Sequence, residues 1–188
     1  MKEHILSILD ESIKVKERAI NDNLELIIKT AELMADCIKS GNKILIFGNG
    51  GSAADAQHIA AEFVNRFQIE RPPLAAIALT TDTSIITSIG NDYNFDEIFS
   101  KQVSALGNKG DIAWGISTSG NSKNVVKAME IAKQKELVTI GMSGKGGKIA
   151  EISDFTFKVD SETTARIQET HITIGHILCE LVDKILFQ

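Results

Sequence analysis

The 188-residue sequence has few of the features that mark secreted or membrane-spanning proteins. Its two cysteines, Cys37 and Cys179, each lie within an apolar helical pattern, so we expect two buried reduced thiols rather than a disulfide. No apolar run approaches the roughly 20 residues of a membrane span. The N-terminal segment carries acidic residues at helical spacing, which is not typical of a signal peptide. These absences predict a protein of the cytoplasm.

Positive charge and proline are also scarce. The 20 Lys and Arg residues are outnumbered by 25 Asp and Glu residues, which gives a net charge of −5. This balance disfavours binding to nucleic acid or to an anionic membrane, because both are densely negative. The only prolines are Pro72 and Pro73, and no repeat or linker divides the chain. We therefore predict one domain over residues 1–188.

Residues 1–40 carry a helical apolar period and predict two helices. The apolar faces run from Ile5 to Ile13 and from Leu24 to Ile38. Both faces are larger than one end of a small domain needs to cover. We therefore expect this N-terminal helical pair to form contacts between subunits.

Short apolar segments alternate with helices in the rest of the chain. Strands are predicted at 43–47, 74–79, 111–117, 138–143 and 155–159, and helices at 52–67, 94–106, 122–135, 145–150 and 162–187, with a short turn at 83–89. The first four strands are nearly continuous apolar runs, which indicates burial on both faces. The alternation predicts an α/β fold, a three-layer α/β/α sandwich with a five-stranded parallel, flavodoxin-like sheet. Ligands of such sheets bind at the carboxyl ends of the strands.

The first predicted strand ends in GNGGSA, residues 48–53, which fits the G-x-G-x-x-A pattern of dinucleotide-binding loops. That pattern also needs an acidic residue about 20 positions further on to hold the ribose. Asp82 lies about 30 residues past the loop, and Glu70 precedes the second strand. We therefore expect no nucleotide cofactor.

The same loop suits a smaller ligand. Gly48, Gly50 and Gly51 would let the backbone approach a ligand closely. Ser52 would cap the next helix, whose N-terminus favours an anion or a sugar oxygen. A tight turn without any ligand is the alternative.

The third strand runs into STSGNS, residues 117–122, directly before a helix. Hydroxyl groups, backbone N–H groups and the helix dipole would converge there on a phosphate group. The loop lacks the Gly-Lys-Ser/Thr of NTPases, which favours a monophosphate. An ordinary serine-rich cap is the alternative.

Two other loops are less specific. Asn91 and Asp92 lie in a loop where they either bind ligand or form a turn, and SGKGGK at 143–148 has the composition of a flexible loop.

Two predicted helices carry side chains that could perform chemistry. His58, Glu62 and Arg66 are spaced four apart on the helix at 52–67, so His58 and Glu62 can meet one ligand, although a solvated face has the same spacing. Gln168 and His176 are eight residues apart on the last helix, about 80° around its axis, so they lie on one side.

Together, GNGGSAADAQH, STSGNS and RIQETHITIGH resemble the phosphoheptose isomerase family of the sugar isomerase (SIS) domain superfamily, over essentially the whole chain. The resemblance implies an enzyme that converts sedoheptulose 7-phosphate into D-glycero-D-manno-heptose 7-phosphate through an enediol. This reaction is the first step of heptose synthesis for bacterial lipopolysaccharide or capsule. The resemblance also implies a homotetramer with its sites near subunit interfaces.

The resemblance further implies site residues and one zinc ion per subunit. The expected zinc ligands are His58, Glu62, Gln168 and His176. Glu62 and His176 match the family's base and acid. The expected substrate contacts are Asn49, Gly50, Gly51, Ser52, Glu62, Arg66, Asn91, Asp92, Ser117, Thr118, Ser119, Ser122 and Gln168. Ala165 departs from the pattern, because an aspartate is expected there.

Several alternatives stay open at this point. Four protein ligands on zinc would be typical of a structural site, and glutamine lies outside the usual ligand set, so the ion could be catalytic or structural. A SIS domain could also bind a phosphosugar or a replication initiator without catalysis. An isomerase acting on another sugar phosphate is the third possibility.

Overall fold

The computed structural model describes all 188 residues and contains one five-stranded, all-parallel sheet. The strands are β1 (Ile44–Gly48), β2 (Ala76–Ala78), β3 (Ile112–Ser117), β4 (Val138–Ser143) and β5 (Phe155–Lys158). Their order in the sheet is β2-β1-β3-β4-β5. This is the flavodoxin-like order, in which the winding direction reverses between β1 and β3 and ligands bind at that point. The predicted fold class is confirmed.

Eight α-helices surround the sheet. They are α1 (Lys2–Asp22), α2 (Leu24–Lys39), α3 (Gly51–Val64), α4 (Thr83–Asp92), α5 (Ser100–Leu106), α6 (Lys123–Gln134), α7 (Lys148–Ile152) and α8 (Thr164–Phe187). Helices α2, α3 and α8 share one core with alternate residues of β1, such as Ile44 and Ile46. Helices α5, α6 and α7 pack on the opposite face around Leu45 and Phe47. This alternation is the expected consequence of the two-residue period of a strand buried on both faces.

Several boundaries differ from the sequence-based prediction. The turn expected at 83–89 is helix α4, which begins where the Asp82 side chain accepts a hydrogen bond from the Ile85 N–H at 2.9 Å. The helix expected at 94–106 is split into a 3-10 turn at Phe95–Glu97 and helix α5. The strand expected at 74–79 is shorter, since Leu74 N donates to the Phe63 carbonyl instead of to a neighbouring strand.

The expected helix at 52–67 ends at Val64. Its last carbonyls accept hydrogen bonds from the side chain of Arg71, which stops the helix before Arg66. Arg66 therefore does not continue the His58–Glu62 stripe, and that expectation was wrong.

The N-terminal helix α1 packs against α8 through Val15 and Ala19. Its other apolar side chains are exposed: Ile5, Leu6, Leu9 and Ile13 are each more than half accessible. The use of residues 1–40 in oligomer formation remains a prediction. No helix of the chain combines the length and the apolar character that crossing a membrane requires.

Candidate active site

The glycine-rich loop and the serine-rich loop leave the sheet side by side. Strands β1 and β3 are neighbours, and Gly48 is in register with Ile116. The side-chain amides of Asn49 and Asn124 then join the two loops through reciprocal hydrogen bonds of 2.8 Å. Asn124 is buried, and its role was not predicted, because no local pattern distinguishes it from other polar residues of α6. The predicted ligand loops therefore meet where the sheet reverses its winding.

The glycine-rich loop begins α3 through backbone geometry. Gly50 is the N-terminal flanking residue of the helix and has φ of 56°, in the left-handed region that favours glycine. Ser52 lies inside the first turn, buried, and makes no capping bond. The expectation that Ser52 caps α3 was therefore wrong, because Gly50 occupies that position.

Gly51 brings Gln168 to the beginning of α3. A Cβ on Gly51 would lie 2.5 Å from the Gln168 Nε2 atom, so the Gln168 amide would have to move away if Gly51 carried a side chain. The contact shows that the first residue of α3 packs beside the second turn of α8. It places the Gln168 amide beside the loop that carries Asn49 and Gly50.

Two turns further along the same pair of helices, three of the predicted site residues meet. Glu62 Oε1 lies 3.0 Å from His58 Nε2, and His176 Nε2 lies 3.4 Å from the same nitrogen. The three atoms are all within 4.8 Å of one another. Close packing of α3 on α8 permits this, since a Cβ on Gly175 would lie 2.8 Å from Ile59 Cδ1.

The His176 ring is held between two other rings. Its centroid lies 4.9 Å from that of His58, edge on, and 5.4 Å from that of Phe67, stacked. Burial lowers the pKa of His176 below its ordinary value, and His58 lowers it further, against the opposing effect of Glu62. The neutral form of His176, which has a free nitrogen lone pair, is therefore favoured.

This cluster, defined as His58, Glu62 and His176, suits a zinc ion. Ligand atoms that sit 2.0–2.1 Å from a tetrahedral zinc are about 3.3 Å apart. The observed separations of 3.0 and 3.4 Å are close to that value. Two histidines and one glutamate form a donor set found in catalytic zinc sites. Three of the four predicted ligands are therefore brought together, while Gln168 as the fourth remains a prediction.

The serine-rich loop is folded around its own hydroxyl groups. Ser117 Oγ donates to Ser122 Oγ at 2.9 Å and lies 3.4 Å from Ser119 Oγ. Ser122 flanks α6 but its side chain makes no capping bond; in the first turn of α6 the Val125 N–H donates to Asn124 Oδ1 at 2.9 Å. Gly120 has φ of 69°, and a Cβ on it would lie 1.8 Å from the Gly146 carbonyl oxygen. Hydroxyl groups and helix N–H groups are thus gathered as phosphate binding requires.

The SGKGGK loop packs directly on the serine-rich loop. Gly144 N donates to the Thr118 carbonyl at 2.9 Å. A cleft of about 410 Å³ opens between the two loops, lined by Thr118 and Ser119 on one side and by Lys145, hydrogen-bonded to Glu162, on the other. A larger cleft of about 590 Å³ borders α5 and α6 and includes none of the predicted site residues.

Three predicted substrate residues make no hydrogen bond to these groups within the chain. Asn91 and Asp92 are exposed in the last turn of α4, not in a loop, and hydrogen-bond to each other at 2.9 Å. Arg66 is exposed beyond the end of α3 and lies 3.5 Å from Glu70. Ala165 is exposed in the first turn of α8.

Comparison with known proteins defines the class first. A family model described as the SIS domain matches residues 9–144. The chain is a SIS domain protein.

Comparison with individual proteins identifies a family within this class. A phosphoheptose isomerase of Nitratidesulfovibrio vulgaris is 59% identical over 179 residues, covering 95% of this chain and 86% of its own. That of Thermodesulfovibrio yellowstonii is 57% identical over 189 residues, covering 100% and 94%. The solved phosphoheptose isomerase of Neisseria gonorrhoeae has a TM-score of 0.92 at 48% identity, covering 97% and 98%. The chain belongs to the phosphoheptose isomerase family, which confirms the expected family and enzyme class.

Proposed function

We propose that this chain converts sedoheptulose 7-phosphate into D-glycero-D-manno-heptose 7-phosphate in the cytoplasm, as the first step of heptose synthesis for lipopolysaccharide or capsule. The observation that carries the proposal is the meeting of His58, Glu62 and His176 on α3 and α8, helices that begin beside two ligand-type loops. Family membership supplies the reaction class.

Glu62 is the group that moves the carbon-bound proton. Ketose-to-aldose conversion removes a proton from C1 and returns one to C2 through an enediol. A carboxylate can do both if it lies over the two carbons. His176 is neutral and serves the oxygen atoms, taking a proton from one hydroxyl group and returning it to the other. Each such proton-transfer role typically contributes about 10²–10⁴-fold to the rate.

The serine-rich loop holds the phosphate group. Ser117, Thr118, Ser119 and Ser122 supply hydroxyl and backbone groups, and the start of α6 supplies the positive end of a helix dipole. Asn49, Gly50, Gly51, Ser52 and Gln168 would contact the substrate between this loop and the cluster. Binding energy from the phosphate end positions C1 and C2 at Glu62.

One zinc ion would be held by His58, Glu62 and His176, with Gln168 as the fourth ligand. When bound, the ion would supply Lewis-acid polarisation of the sugar's oxygen atoms. If Gln168 stays beside Gly51, three protein ligands leave an open position, which is the pattern of catalytic zinc sites. Glu62 would then serve both as ligand and as base.

The active unit is a homotetramer. Helix α1 exposes Ile5, Leu6 and Leu9, and helix α4 buries none of its residues within one chain. Contacts between subunits would cover both surfaces. They would also bring Arg66, Asn91 and Asp92 of one subunit towards a neighbouring site.

An assay on several sugar phosphates tests the proposal. Zinc-loaded protein is incubated with sedoheptulose 7-phosphate, and with pentose and hexulose phosphates as competitors, and the products are followed by proton NMR. The proposal predicts aldose signals from the heptulose phosphate alone. Turnover of another sugar phosphate instead, or binding of phosphosugar without turnover, would contradict it. Light scattering at micromolar concentration would contradict the tetramer if it gave a monomer.

A further inference from the structure

Arg71 and Asp183 form the most deeply buried ion pair of the chain. Their side chains are only 2% and 6% exposed, and Arg71 Nε donates to Asp183 Oδ1 at 2.8 Å. Burying two charges is costly unless each finds several partners. Asp183 lies on α8, two turns beyond His176 and therefore on the same side of the helix.

The remaining donors of Arg71 hold the end of α3. Nη2 donates to the Glu62 carbonyl at 2.8 Å, and Nη1 donates to the Phe63 carbonyl at 2.7 Å. The carbonyls of a helix's last turn have no partner within the helix. One guanidinium group therefore fixes the backbone of Glu62, a cluster residue, and joins it to the helix that carries His176.

Arg71 also anchors the segment that covers His176. Between the end of α3 and β2, the chain lies along α8. Phe67 stacks on His176, and Gln68 Nε2 donates to Glu180 Oε2 at 3.3 Å. The buried contact between Arg71 and Asp183 is the last of these contacts between the segment and α8. Releasing it would free the segment that holds Phe67 against the His176 ring.

We propose that Arg71 and Asp183 are positioning residues of the active site. The pair sets the separation between Glu62 on α3 and His176 on α8, through the Glu62 carbonyl and through Phe67. Its hydrogen bonds are to one another and to backbone carbonyls, and none is to a side chain of the cluster. The inference rests on the proposed function only in treating the cluster as the active site. The separation between Glu62 and His176, which the pair explains, does not depend on which reaction is catalysed.

A matched control variant distinguishes an effect on the position of the cluster residues from an effect on the stability of the fold. Lys43 and Asp111 form a second ion pair with a buried carboxylate, at the amino ends of β1 and β3, opposite the site. Lys43→Met should destabilise the fold without moving the cluster. Replacing both members of a buried pair by apolar residues is often neutral for stability. The double variant Arg71→Met/Asp183→Leu should therefore be more stable than either single variant. It would still lack the N–H groups of Arg71 that donate to the carbonyls of α3.

The test measures zinc affinity by competition with a chromophoric chelator, beside urea unfolding of the same samples. We expect Arg71→Lys and the double variant to bind zinc about 10–100-fold more weakly, the range found when groups that orient metal ligands are lost. Lys43→Met should stay within about twofold of wild type. Zinc affinity that follows stability across the set would overturn the inference.

Two further measurements, NMR of the His176 ring and steady-state kinetics, distinguish failure of this inference from failure of the proposed function. In zinc-free protein, the stacked Phe67 ring should shift the NMR signals of the His176 ring protons through its ring current, and this shift should be lost in the double variant and kept in Lys43→Met. Unchanged His176 signals in the double variant would overturn the inference. If the wild type isomerises the heptulose phosphate, kcat should fall more than KM rises. Altered zinc affinity in a protein without isomerase activity would refute the proposed function and leave this inference standing.

Discussion

The Nε2 atoms of His58 and His176 lie 3.4 Å apart, although 118 positions separate the two residues in the sequence. A positive charge on His58 disfavours a second one on His176 at that distance, and this lowers the pKa of His176 in addition to the effect of burial. With the Glu62 carboxylate 3.0 Å from His58, the cluster is prepared for one cation.

Zinc should therefore stabilise the fold through this cluster. At a free zinc concentration 100 times the Kd, binding contributes about 2.7 kcal/mol, which corresponds to a rise in Tm of roughly 5–10 °C. His58→Ala should remove most of that rise, and Gln57→Ala, its exposed neighbour on α3, should keep it. Differential scanning fluorimetry with and without zinc measures both.

The same His58→Ala variant decides what the ion does. Loss of zinc together with a large loss of isomerase activity is the expected result. Retained activity without bound zinc would show that the ion is dispensable for the reaction.

Gly51 should be required for the position of Gln168. Gly51→Ala forces the Gln168 amide away from the start of α3, because the added Cβ would lie 2.5 Å from Nε2. We expect kcat/KM to fall at least about tenfold, corresponding to about 1.4 kcal/mol. In a Gln168→Ala background the same substitution should have little further effect, since the clash is gone. Additive losses would contradict this explanation.

Stability should depend on pH through His171, which is buried and outside the cluster. Burial lowers its pKa to about 4, and its Nε2 lies 3.1 Å from the Ser143 carbonyl oxygen. Below pH 6.5 the unfolded chain binds a proton that the folded chain does not. The free energy of unfolding should therefore fall as the pH falls, by roughly 3 kcal/mol between pH 6.5 and 4.

Urea unfolding of zinc-free protein at pH 6.5, 5.5 and 5.0 measures this contribution. His171→Gln should flatten the pH dependence by nearly one bound proton, while His4→Gln, at the exposed N-terminus, serves as the control. Equal slopes for wild type and His171→Gln would show that His171 does not titrate in this way.

The two cysteines should be unreactive in the native protein. Burial raises the pKa of Cys37 to about 11 and that of Cys179 to about 12, so almost no thiolate is present at pH 8. Iodoacetamide should label neither thiol in native protein within minutes and both in guanidinium chloride. Rapid labelling of Cys179 in native protein would show that α8 opens locally.

Short stretches of sequence were sufficient to predict most strands and helices of the fold. The apolar runs of β1 and β3 indicated buried parallel strands, and their loop sequences indicated ligand sites. Helix α4 was predicted only as a turn because its apolar residues, Ile85, Ile86 and Ile89, span little more than one helical turn, which is too short to show a helical period.

Long-range contacts could not be predicted from spacing. The i, i+4 relation of His58 and Glu62 was visible, but their meeting with His176 depends on how α3 packs on α8. Arg71 carries no local sign of its role either, since a charged residue after a predicted helix is usually exposed. Its partner Asp183 is 112 positions away.

Deuterium transfer tests the central claim most directly. Zinc-loaded protein is mixed with sedoheptulose 7-phosphate in D₂O, and the product is examined by NMR for an aldose anomeric signal and for deuterium at C2. Wild type and Glu136→Gln, an exposed change at the far end of β4, should both give the deuterated aldose. Glu62→Gln should be slower by about 10²–10⁴-fold. An undeuterated aldose would contradict proton transfer through an exchanging base, and near wild-type rates in Glu62→Gln would contradict the role of Glu62.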